Sequence, residues 1–170
     1  MALPAPFYQD ALVTIYLGDC RDLLPNFGPA TFDWCIMDPP ERDGNPAIFD
    51  PLMAQVRPLV AACCNHVLEL THYVPNRQAT GPNKGNLVSA ACQFTIDGGA
   101  IQNATINDPD MKLAGWQAIQ NPHAPASVLD PFVGAGGWIL LAAKRAGIPS
   151  TGIGLDPNYL AQSAARIAAG

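Results

Sequence analysis

Apolar residues along this chain fall into short runs separated by proline- and glycine-rich turns, and the runs follow two different periods. Val13-Thr-Ile-Tyr-Leu17 is β-branched and aromatic, which predicts a strand, and it stops at Gly18-Asp19. Cys20 to Leu24 offers a short helix before Pro25. Phe32 to Met37 predicts a second strand, and its run Trp34-Cys-Ile-Met37 is apolar enough to be covered on both faces, as parallel strands are. From Ala47 to Cys64 the period changes: Ile48, Leu52, Val56, Leu59, Val60 and Cys63 recur at three- and four-residue steps, the stripe of an amphipathic helix. Pro51 fits a first turn, whereas Pro58 removes an internal donor, so this segment reads either as one kinked helix or as two short helices.

Period two returns in His66 to Tyr73, a predicted strand, followed by a predicted loop over 74–86 with Pro75, Gly81 and Pro82. Leu87 to Ile96 predicts a further strand, Asp97-Gly-Gly99 a turn, and Ala100 to Ile106 another strand or ragged segment. Residues 107–120 are irregular, with a short helix over Met111 to Ile119, and 121–126 form a linker. A strand over Ser127 to Leu129 ends at Pro131, a helix runs from Trp138 to Ala146, a strand from Ser150 to Leu155, and a closing helix from Asn158 to Ala168. Met1 to Pro6 reads as a loose arm. The order is β-α-β-α, a less regular middle, then β-α-β-α, which predicts an α/β three-layer sandwich with a mostly parallel central sheet. At 170 residues, one domain spanning 1–170 is expected.

Composition narrows the picture. Hydrophobic residues make up 49%, with 15 Gly and 17 Pro, as in a globular chain with many turns. Nine Lys plus Arg against 14 Asp plus Glu give a net charge of -5, which argues against tight independent binding to a duplex. A local basic patch around Arg42, Arg77 and Lys84 is compatible with that total. The five cysteines (20, 35, 63, 64 and 92) show no C-x-x-C pairing and read as buried thiols of a reducing compartment. No apolar run approaches the ~18 residues of a membrane span, and there is no basic-then-apolar leader, so a cytoplasmic location and no membrane are expected. His66, His72 and His123 form no H-x-x-x-H or Cys/His cluster, and no metal is expected.

The chemistry concentrates at two strand ends. In Asp130-Pro-Phe-Val-Gly-Ala-Gly-Gly137 a strand, a glycine turn and a helix follow one another, which is how an open α/β sheet builds a small-molecule site at its carboxyl edge. Asp130 would attract a cationic ligand group and repel a pyrophosphate. This stretch resembles the D-P-F-x-G-S-G-T loop of the DNA amino-methyltransferases, which methylate the exocyclic nitrogen of adenine or cytosine. Asp38-Pro-Pro-Glu41 resembles their catalytic D-P-P-Y, and its position ahead of the glycine loop resembles the circularly permuted order of the beta class.

The resemblance implies a methyltransferase-like domain that uses S-adenosylmethionine to methylate DNA site-specifically, at adenine more than cytosine, as in restriction-modification. It implies catalysis by Asp38, Pro39, Pro40 and the residue at Glu41, where an aromatic ring would stack on an extruded base. Cofactor contacts are implied for Asp19, Cys20, Asp130, Phe132, Gly134, Gly136, Asp156 and Lys112, with Arg42, Arg77, Asn83 and Lys84 facing DNA. Several positions depart from the pattern. Glu41 has no π-face; Ala135 and Gly137 replace a serine and a threonine; Gly154 stands where similar enzymes carry the glutamate that grips the ribose hydroxyls. Only Pro109 and Lys112 persist of an H-P-T-Q-K-P loop, so Lys112 either reaches the methionine carboxylate or is simply solvated. Asp19 and Asp156 are each open to two readings, a ligand contact or a helix cap. These departures favour a second expectation, a non-catalytic descendant with a binding or regulatory role. A third is a methyltransferase acting on RNA or a small molecule. A homodimer or a partner protein is left open.

Overall fold

The computed structural model describes residues 2–39, 46–75, 90–99, 102–106 and 125–170. Its centre is an eight-stranded sheet in the order β1-β2-β8-β7-β3-β4-β5-β6. The strands are β1 (Tyr8–Gln9), β2 (Val13–Leu17), β3 (Phe32–Met37), β4 (Cys64–Pro75), β5 (Ala90–Ile96), β6 (Gln102–Ile106), β7 (Val128–Asp130) and β8 (Ser150–Gly154). The block β2-β8-β7-β3-β4 is parallel throughout, and antiparallel pairs flank it: β1 on one side, β5 and β6 on the other. The expected mostly parallel α/β sheet is therefore present, with an antiparallel extension at each edge.

Side-chain alternation along the strands makes the three layers. On β3, Cys35 and Met37 pack with Phe49, Met53, Val56 and Val60 of the helix α2 (Pro46–Cys63), while Ile36 packs the opposite way with Ile139 and Ala143 of α3 (Trp138–Arg145). The same division splits Leu129 from Val128 on β7. Val13 and Ile15 of β2 face Leu160 and Ile167 of α4 (Pro157–Ala169). The short helix α1 (Cys20–Leu23) and a 3-10 turn over Leu24–Asn26 complete the α2 side.

The structure settles one local expectation, corrects a second and adds an element. The 47–63 stretch lies in one helix: Pro51 and Pro58 both lie on its exposed side while Met53, Val56 and Val60 are fully buried. β4 starts at Cys64 directly after α2 and runs through Val74 and Pro75, which were expected in the loop; its pairing with β5, down to Pro75 against Ala90, carries it further than its apolar pattern. Residues 7–9, for which the sequence pattern predicts no element, include β1, which pairs Tyr8 with Ile15. The rest of the 74–86 segment and the helix expected over 111–119 lie outside the described residues.

Candidate functional site

β3 and β7 are adjacent and parallel, with Trp34 opposite Val128 and Cys35 opposite Leu129. Asp38 and Asp130 therefore leave the sheet at the same edge, where the carboxyl ends of β2 and β8 also arrive. A cavity of about 390 Å³ opens there, a size suited to a small-molecule ligand. Its lining comes from five parts of the chain: Gly18 to Arg21, Asp38, Leu52, Pro131 to Gly134, and Gly154 to Asp156 with Tyr159. Of the residues singled out in the sequence, Asp19, Cys20, Asp38, Phe132, Gly134 and Asp156 meet in this one space. A larger groove of about 620 Å³, lined by Arg57, Asn65, Glu69 and Asp97 among others, sits toward the start of β4 and takes in neither motif.

Each polar wall residue is positioned by local rules. Asp19 is the N-cap of α1: its Oδ1 accepts the Arg21 N–H at 2.9 Å, and the carboxylate also pairs with the Arg21 guanidinium. That pairing holds the Asp19 carboxyl below its ordinary value. Asp156 caps α4, its Oδ1 accepting from the N–H groups of Asn158 (2.8 Å) and Tyr159 (3.3 Å). Both aspartates are thus helix caps that also border the cavity. Burial, reinforced by the charge of Asp19, pushes the Cys20 thiol up to about 11, so Cys20 is a neutral, apolar part of the wall. Asp130 itself is buried; its Oδ1 accepts the Phe132 N–H at 3.0 Å, which starts the turn that brings Phe132 and Gly134 to the cavity.

The glycine loop is shaped from behind by α4. Ser163 Oγ donates to the Gly134 carbonyl at 2.5 Å, and Arg166 Nη1 donates to the carbonyls of Gly136 (2.6 Å) and Ala135 (3.2 Å). Gly137 takes φ 57°, in the left-handed region, and a Cβ there would meet Ser163 Cβ at 2.8 Å. Gly154 is closed in differently. A Cβ on it would lie 2.6 Å from both the Val133 carbonyl oxygen and Leu160 Cδ2. The position is filled by packing, and no room is kept there for an acidic side chain.

Pro39 is buried at the strand exit. Pro40, Glu41, Arg42, Arg77, Asn83, Lys84 and Lys112 lie outside the described residues. Ser163 and Arg166 were not singled out in the sequence. The signal for Ser163 was a polar residue in the apolar stripe Leu160, Ser163, Ile167; for Arg166 there was none. No group of three or more metal-ligating side chains occurs among the described residues, nor is any described helix long and apolar enough to cross a membrane.

No family model matches the chain, and no curated protein does. Solved structures do. TTHA0409 of Thermus thermophilus, provisionally assigned as a DNA modification methylase and crystallised with S-adenosyl-L-methionine, superposes with a TM-score of 0.62 at 16% identity, covering 91% of this chain and 93% of that one. The M1.HpyAVI–SAM complex gives 0.59 at 15% identity over 92% and 99% of the two chains. PvuII DNA methyltransferase, cytosine-N4-specific, gives 0.59 at 13% identity over 95% and 88%. The chain has the fold of the DNA amino-methyltransferases.

Proposed function

We propose that the cavity binds S-adenosylmethionine and that the protein transfers its methyl group to the exocyclic amino group of a base in DNA, adenine in preference to cytosine. The observation that carries this reading is the meeting of Asp38 and the Phe132–Gly134 turn, from adjacent parallel strands, in one cavity. The residues fit the cofactor. Leu52, Phe132, Val133 and Leu155 offer apolar surface for an adenine ring and thioether chain, and Asp19, Asp38 and Asp156 give a wall rich in carboxylates that suits a cationic ligand. When bound, the cofactor would supply an electrophilic methyl on a positively charged sulfur.

The chain's own task is alignment. Asp38 leaves β3 half-buried next to the rigid Pro39, so its carboxylate is held at the cavity edge. There it would accept a hydrogen bond from the target amino group and aim the nitrogen lone pair inward. Asp156, capping α4 with Oδ1, keeps Oδ2 for ribose hydroxyls, the task Gly154 does not perform. Glu41 follows in sequence where a stacking ring is expected, so base extrusion would be poorly supported.

A second reading is favoured by the filled space at Gly154 together with Glu41 and the net charge of -5: a descendant that binds the nucleoside ligand without methylating. Tritiated-methyl transfer to mixed-sequence DNA, alongside calorimetric binding, separates the two. Methylation by wild type that Asp38→Ala abolishes and Glu41→Tyr raises, by up to about a hundredfold for a restored 1–3 kcal/mol of stacking, supports the first. Cofactor binding with no transfer by any of the three supports the second.

A further inference from the structure

We propose that Arg166 and Ser163 on α4 are positioning residues that preset the glycine loop for ligand, replacing restraints that the loop's own side chains do not provide. The inference rests on the reading of the cavity given above.

The loop has little of its own to hold it. Residues 134–137 read Gly-Ala-Gly-Gly and carry no hydroxyl or other polar side chain. Glycine-rich backbone has the largest conformational freedom to lose on ordering, so an unrestrained loop of this composition would cost affinity whenever a ligand fixed it. The structure supplies the restraint from the neighbouring helix. Three consecutive carbonyls, of Gly134, Ala135 and Gly136, each accept a hydrogen bond from α4: the first from Ser163, the other two from Arg166. In a trans peptide each N–H points opposite to the preceding C=O. Drawing these carbonyls toward α4 therefore turns the N–H groups of Ala135, Gly136 and Gly137 away from it.

The clamp is itself fixed. Ser163 is fully buried, and the Arg166 guanidinium lies 4.2 Å from the centroid of the Trp138 ring, a cation–π contact at the start of α3. A Cβ on Gly136 would run into that same indole, so Trp138 presses the loop while Arg166 holds it. Asp156, the N-cap of α4, faces the cavity from one end of the helix whose later turns carry Ser163 and Arg166. One rigid element thus presents a wall residue and shapes the opposite loop.

The test uses the full chain, S-adenosylhomocysteine as probe, and two readouts: calorimetric affinity, and hydrogen exchange of the 135–137 amides without ligand. Arg166→Ala and Ser163→Ala should each weaken binding by about five- to tenfold and speed exchange in the loop, well below the melting temperature. Arg166→Lys, which keeps the charge over Trp138 but loses the fork of donors, should recover part of both. Arg57→Ala, which removes the ion pair with Glu69 in the groove that takes in neither motif, should lower the melting temperature and leave both readouts unchanged. Wild-type affinity and wild-type loop exchange in Arg166→Ala would overturn the proposal. If the wild type fails to bind the probe, the cofactor reading fails, and the exchange arm still decides the clamp: unchanged loop exchange rejects it and faster exchange supports it. Should Arg166→Ala not fold, Arg166→Lys and Ser163→Ala carry the same comparison.

Discussion

Gly154 shows how one residue carries different meanings in sequence and in space. In sequence it is a missing acid within Gly-Ile-Gly-Leu-Asp-Pro. In space the Val133 carbonyl and Leu160 occupy the volume a side chain would need. Gly154→Glu should therefore not restore ribose recognition. Overpacking a filled site costs about 1–3 kcal/mol, and a buried carboxylate adds to it. The expected outcome is a lower melting temperature with no gain in calorimetric affinity for S-adenosylhomocysteine; a tighter complex would show that the 131–134 turn yields easily. Sequence could not reveal this, because both obstructing groups come from other elements. Asp19 and Asp156 were legible down to two readings each, and geometry shows that the cap role and the cavity position coexist in one side chain.

Elements with a strong period were legible almost to the residue: β2 and β3 match their apolar runs, and α3, β8 and α4 begin and end within a residue or two of expectation. What the pattern left open or did not show shares one physical cause, tertiary packing overriding local chemistry. β1 has only two residues and exists because Tyr8 and Gln9 pair with β2. α2 continues through Pro58 because the core holds Met53, Val56 and Val60 on the opposite side. An internal proline costs about 3 kcal/mol relative to alanine, and its stiffening of the unfolded chain returns about 0.4–1 kcal/mol. Pro58 is exposed, so Pro58→Ala should stabilise the protein by about 2–2.6 kcal/mol. Urea unfolding should show this as a higher midpoint at unchanged slope; a lower midpoint would mean that the ring makes contacts worth more than the missing hydrogen bond.

At the scale of the molecule, Lys144 of α3 ties the segment between β1 and β2 to α4. Its Nζ lies 2.9 Å from Asp10 Oδ2 before β2 and donates to the Ile167 carbonyl in α4 at 2.7 Å. Burial alone would raise the Asp10 carboxyl, but hydrogen bonds from Lys144, the Leu12 and Val13 N–H groups and Tyr8 outweigh it and hold the group well below the usual carboxylate range. The folded value lies below the unfolded one. The stabilisation is therefore complete above about pH 4 and is lost as pH falls toward the folded value. Asp10→Asn should cost about 1 kcal/mol at neutral pH, with the melting temperatures of variant and wild type converging in acid. A gap that persists through the acid range would place the effect in something other than ionisation. The same region sets a schedule for assembly. β2, near the beginning of the chain, finds its parallel partner only in β8, with Val13 against Ser150 and Leu17 against Gly154. A ribosome must therefore have released everything from β2 through β8 before the Gly18–Arg21 wall can face Leu155 and Asp156. Such long-range pairing slows folding, and the pocket cannot exist until it is made.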